Sequence, residues 1–114
     1  MTMVLAKPIT EFDTVKTWGE GLRKQWGGDP LAEEPEMIQA LAEFCDFVGE
    51  DPDSIVAKLF RIRKADGERV LSVKWRRHYA DRVKEFRSKG DGEKQRRGAD
   101  VLSFMIHNGV LIQG

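Results

Sequence analysis

One cysteine, Cys45, in a chain of 114 residues excludes an internal disulfide and fits a reducing compartment. The two histidines, His78 and His107, have no second histidine or cysteine at metal-ligand spacing, so neither a metal nor a cofactor is expected. The apolar stretch over residues 1–6 is shorter than a signal-peptide core, and no run approaches the roughly eighteen apolar residues of a membrane span. Alternation with a period of two, the mark of a half-buried strand, is also missing. No glycine-rich phosphate loop is present, because Gly90-Asp91-Gly92 lacks both the spacing and a preceding strand. Net charge is absent too, with 19 basic residues against 19 acidic ones. What remains is enough for one core: ten aromatics argue against disorder, and the length suits a single domain of about 100–150 residues. The expectation is a soluble, cytoplasmic, single-domain chain with no membrane partner.

The zero total hides a strong asymmetry. Residues 1–57 carry four basic and twelve acidic side chains, whereas residues 58–97 carry fifteen basic and six acidic ones. Binding is local, so the basic segment is a better guide to partners than the total charge.

Apolar spacing predicts an all-α bundle of five helices. Phe12, Val15, Leu22 and Trp26 share one face of the first, with Trp18 beside them, and Gly27-Gly28 ends it. Glu33-Glu34-Pro35-Glu36 opens the second, in which Met37, Leu41, Phe44 and Val48 recur at helical spacing before Gly49. Asp51-Pro52-Asp53-Ser54 supplies an N-cap and a first-turn proline for the third, whose stripe is Ile55, Leu59 and Ile62 and whose end is Gly67. A fourth helix over residues 71–88 presents Leu71, Trp75, Tyr79, Val83 and Phe86. A fifth over residues 93–107 presents Ala99, Leu102, Met105 and Ile106, and Asn108-Gly109 stops it. Phe44, Leu59, Trp75, Val83, Phe86 and Leu102 are expected in the core. Val110-Leu111-Ile112 reads as a short strand or an extended tail.

Catalytic readings are poor. Cys45 lies on an apolar face and reads as a small core residue. His107 sits at a helix end, where a cap or surface role fits, and Tyr79 belongs to an apolar stripe. No catalytic residue is assigned.

The fourth helix is different. Stepping about 100° per residue from Trp75, Arg76, Arg87, Lys84 and Arg77 fall near 100°, 120°, 180° and 200°, in an arc free of acids. Asp81 and Glu85 occupy the other flank, near Lys74, where they can pair with it. A face stabilised by ion pairs along the helix would mix signs, so this segregation has the character of a polyanion site. Lys94, Arg96 and Arg97 stand in the first two turns of the fifth helix, the end where the backbone dipole disfavours cations, and a phosphate would supply the missing counter-charge. The acidic half of the chain is the rival counter-charge, within one molecule or between two.

Two segments carry a family resemblance. The run from Phe44-Cys45-Asp46-Phe47-Val48-Gly49 through Glu50-Asp51-Pro52-Asp53-Ser54-Ile55 resembles the helix junction of integrase-like proteins. Val83-Lys84-Glu85-Phe86-Arg87, Gly90, Ser103-Phe104-Met105 and Asn108-Gly109-Val110 resemble the closing helix pair of the same domain. Over roughly residues 37–112 the chain is thus similar to the SAM-like core-binding domain of phage integrases and other tyrosine recombinases. The resemblance implies a domain that clamps duplex DNA beside a C-terminal catalytic domain, with self-association on DNA. The recombinase motif of histidine followed three residues later by arginine is missing, since Asp81 follows His78 and Val110 follows His107. This chain alone is therefore expected not to be an enzyme.

On this reading residues 1–10 form an extended N-terminal arm, and residues 110–114 begin a linker to a catalytic domain absent from the chain. Arg76, Arg77, Lys84, Arg87, Lys94, Arg96 and Arg97 are the DNA-binding candidates. Arg61, Arg63 and Lys64 are weaker ones, because they also suit the dipole of a third helix ending there. The alternative of a different class is a small helical protein–protein interaction module that uses its acidic and basic halves.

Overall fold

The computed structural model describes residues 5–88 and 92–112, and of residues 92–96 the backbone alone. The fold is an all-α bundle with one small hairpin. Among the described residues six α-helices follow a short 3-10 turn at Ile9–Glu11: α1 (Asp13–Trp26), α2 (Pro30–Glu33), α3 (Pro35–Val48), α4 (Pro52–Leu59), α5 (Val73–Ser88) and α6 (Gly92–His107). Strands β1 (Phe60–Ile62) and β2 (Arg69–Leu71) lie between α4 and α5 and pair antiparallel, Phe60 with Leu71 and Ile62 with Arg69.

Local chemistry explains most boundaries. Gly49 closes α3 with φ of 73°, a left-handed geometry that favours glycine. Asp51 then caps α4, accepting from the Ser54 N–H at 2.7 Å, and Pro52 takes the first helical position, where its missing N–H costs nothing. The N-terminal end of α1 is capped from far along the chain. Asp53 Oδ1 accepts from both the Thr14 N–H at 3.0 Å and the Thr14 hydroxyl at 2.6 Å.

The core runs through α1, α3, α4, α5 and α6. Phe44 meets Phe86 edge-on at 5.5 Å and Trp18 meets Phe104 edge-on at 5.6 Å, geometries that add to the area these rings bury. Trp18 also donates its indole N–H to Ser103 Oγ at 3.0 Å, so its polar edge is satisfied inside the bundle. Gly21 lets α1 approach α6 closely, since a Cβ there would stand 2.3 Å from His107 Cδ2. Asn108 Nδ2 ties the end of α6 to α1, donating to the carbonyls of Phe104 and Thr14.

The structure corrects several sequence expectations. The third helix stops at Leu59, not Gly67, because Phe60 turns extended (φ −120°, ψ 152°) and starts the hairpin. Ile62, expected on an apolar stripe, is 65% exposed. Arg61, Arg63 and Lys64 therefore lie on the hairpin and not at a helix end. Helix α5 begins at Val73, with Leu71 in β2. A separate short helix, α2, precedes α3. In α6 the buried face is Val101, Phe104 and Met105, whereas Ala99 and Ile106 are exposed and Leu102 is half-buried. Trp75 is half-buried and Trp26 is 60% exposed. Val110 and Ile112 are buried against the bundle, and Leu5 and Ile9 near the other end pack on the core.

Candidate nucleic-acid interface

Helix α5 positions the basic face. Tyr79, Val83 and Phe86 hold its inner side in the core, which turns Arg76, Arg77 and Lys84 outward, all exposed. Ser72 fixes the start of the helix: its N–H donates to the Leu59 carbonyl at 2.8 Å, and its Oγ accepts from the Trp75 N–H at 3.3 Å. Arg76 Nε donates to the Leu111 carbonyl at 3.0 Å, which anchors the guanidinium at the rim of an open hollow of about 240 Å³ lined by Val73, Arg76, Arg77, Ala80 and Ile112. Neither Arg77 nor Lys84 has a carboxylate partner among the described residues. Arg87 is half-buried and lies across α6, so close to Gly98 that a Cβ there would stand 2.1 Å from Arg87 Cγ.

The start of α6 divides. The backbone of Lys94 and Arg96 is in the first two turns as expected, but their side chains lie outside the described residues. Arg97 pairs with Glu43 of α3, so at this position the counter-charge comes from the acidic half of the same molecule.

Other cations of the basic segment are also matched by acids. Arg82 pairs with Glu85, which corrects the expected pairing of Glu85 with Lys74. Lys58 pairs with Glu50 and sits over the Trp75 ring, and Lys74 lies over the same ring at 5.4 Å. On the hairpin, Arg63 pairs with Asp66 and reaches Glu68. The Asp66 contact raises the Arg63 guanidinium further above its ordinary value, and Arg63 in turn holds the Asp66 carboxyl below the usual range. Arg69 stacks its guanidinium over the Phe60 ring at 3.7 Å.

Two potential nucleophiles are silent. Burial, reinforced by the charges of Asp51, Asp46 and Glu50, pushes the Cys45 thiol up to about 12. Such a thiol stays protonated near neutral pH and is a poor nucleophile. The Tyr79 ring is fully buried and its hydroxyl donates to Glu50 Oε1 at 2.9 Å. Burial first, then that hydrogen bond and the Glu50 charge, raises the phenol well above its ordinary range. His107 is held at a helix end, its Nδ1 2.8 Å from the Ser103 carbonyl.

Among the described residues no group of three or more His, Cys, Asp or Glu side chains could hold a metal ion, and no helix is long and apolar enough to cross a membrane. No family model, curated protein or solved structure matches the chain. The functional reading therefore rests on the side chains themselves.

Sequence reasoning missed the hairpin, which puts Arg61, Lys64 and Arg69 on an exposed ribbon. A signal was present: Asp66-Gly67 is a turn dipeptide, and Val70-Leu71 after it favours strand. Asp53, in the first turn of α4, caps α1 from far along the chain, a role that no local signal reports.

Proposed function

We propose that this chain is a DNA-binding module, the core-binding domain of an integrase-like site-specific recombinase, and that it holds duplex DNA through the basic face of α5. One observation carries the reading. Arg63, Arg82, Arg97 and Lys58 are each neutralised by a carboxylate of the same chain, whereas Arg77 and Lys84 face solvent with no carboxylate at ion-pair distance among the described residues. Exposed like charges left together gain from a polyanion, which releases its own counterions when they bind. The helix junction behind the family resemblance folds as α3, a left-handed Gly49 and α4, in keeping with this reading. The module itself performs no chemistry; it works in the cytoplasm and serves a catalytic domain of the same protein. Phosphate contacts supply most of its affinity and little sequence information.

A second reading has its own support. Trp26, Ile106 and Leu111 are each more than half exposed around a groove of about 420 Å³, which favours a protein-interaction module. Titrating a labelled duplex at about 50 and about 200 mM salt, beside a sedimentation run, separates the two. The DNA reading expects a dissociation constant of about 10⁻⁴–10⁻⁶ M that weakens with salt. With about four phosphates engaged, log affinity falls against log salt with a slope near −3.6. Absence of any complex at the lower salt, together with a mass that rises with protein concentration, would overturn it in favour of the second.

A further inference from the structure

The hairpin is the part of the molecule that the bundle does not need. Phe60, Val70 and Leu71 at its base are half-buried, but every residue from Arg61 to Arg69 is exposed. The ribbon is nonetheless firmly placed. Its strands pair in one register, the Arg63 N–H donates to the Glu68 carbonyl at 2.8 Å, and the Gly67 N–H donates to the Arg63 carbonyl at 2.8 Å. At its root, the Ser72–Leu59 hydrogen bond fastens it to the junction of α4 and α5.

Its side chains are unusual for a solvated loop. The two acids, Asp66 and Glu68, are both engaged by Arg63, which leaves Arg61 and Lys64 without a carboxylate partner among the described residues. From Arg69 to Ala80 the chain holds Arg69, Lys74, Arg76 and Arg77 and no acid, so no carboxylate of the intervening chain separates the ribbon's cations from those at the start of α5. Two large apolar side chains stand exposed on the ribbon and at the start of α5, Ile62 at 65% and Val73 at 70%. Solvation alone gives no reason for them, whereas a nucleic-acid groove offers sugar and methyl surface between its phosphates.

We propose that the hairpin is a second DNA-contacting arm: a rigid β-ribbon that reaches into a groove of the duplex beside the phosphates held by α5. Three strand residues extend it about 10 Å, comparable with a major groove of roughly 8.5 Å depth that admits a two-stranded ribbon. Arg61 and Lys64 meet phosphates along the groove walls, and Ile62 packs on the groove surface. This rests on the DNA reading of α5, and the test keeps the two apart.

The buried, protonated Cys45 makes a clean experiment possible, because an added exposed cysteine can be labelled alone. An Ala65→Cys variant of the full chain carries a photoreactive azide at the ribbon tip, and a Gln39→Cys variant carries the same label on the exposed side of α3. Illumination with duplex is expected to crosslink DNA from position 65 and not from position 39. In parallel, the Arg61→Ala/Lys64→Ala variant is expected to bind with a salt slope shallower by about 1.8, from about 0.9 per lost phosphate contact. If the labelled chain binds duplex but position 65 gives no crosslink, or the slope of the double variant is unchanged, the arm is wrong and the α5 reading stands. Failure of the unmodified chain to bind duplex at any salt overturns both.

Discussion

The seam between α1 and α6 and the outer face of α5 use polar side chains in opposite ways. At the seam polar groups find internal partners: Trp18 bonds with Ser103 and Asn108 with the carbonyls of Thr14 and Phe104, while Asp53 of α4 holds Thr14 from the other side. On α5 the exposed cations Arg77 and Lys84 stand without a carboxylate partner among the described residues, although Glu85 of the same helix neutralises Arg82 and Glu43 of α3 neutralises Arg97. Polar groups whose partners lie within the bundle hold it together. Those left unmatched on an ordered helix are available to a partner from outside.

If that contrast is right, the largest stability losses come from the seam. Phe104→Ala is expected to destabilise the fold by about 3–5 kcal/mol, since it removes a fully buried ring and leaves Trp18 without its edge contact. A chemical-denaturation midpoint within error of the unmodified chain would contradict this.

High pH gives the next largest effect. The Cys45 thiol is raised to about 12 in the fold, so between the ordinary thiol value and 12 the unfolded chain binds fewer protons than the native one. Stability contributed by this group is complete below that window and falls as pH rises through it, by at most about 1.4 kcal/mol per pH unit. Tyr79, shifted in the same direction, adds to the fall at the alkaline end. Unfolding curves across this range should show a steeper decline for the unmodified chain than for Cys45→Ala.

A smaller loss, about 1–2 kcal/mol, is expected from Asp53→Ala, which removes both hydrogen bonds from Thr14 and uncaps α1. Amide exchange should quicken in the first turn of α1 before the rest of the helix. By contrast, Glu43→Gln breaks a partly exposed ion pair with Arg97, and about 0–1 kcal/mol is the expected change in denaturation free energy.

Spacing made much of this fold legible. The stripe of α3, that of α1 as far as Leu22, and the Gly49 and Asn108-Gly109 stops stand where the apolar period and the glycines put them, because those signals are local; Trp26, at the end of α1, is exposed. The hairpin was not legible, since strands of three residues are too short to show alternation, and Ile62 happened to continue the stripe of α4. The register of α6 was missed for a different reason. Val101 and Phe104 face the core while Gly98 lets Arg87 of α5 lie across the helix, and no apolar count within α6 reports an approach made by α5. The exposed positions of Arg76, Arg77 and Lys84 followed from their angles alone. The pairing of Arg97 did not, because Glu43 is 54 residues away.

The most direct test of an α5-centred DNA site is the affinity of a labelled duplex for three chains: unmodified, Arg77→Glu/Lys84→Glu, and Lys24→Glu as a control on the exposed end of α1. Reversing the two α5 cations is expected to abolish binding at about 50 mM salt while the denaturation midpoint moves by no more than about 0.5 kcal/mol equivalent, and Lys24→Glu is expected to bind almost as the unmodified chain does. An α5 double variant that binds as tightly as the unmodified chain, or an unmodified chain whose affinity ignores salt, would contradict it.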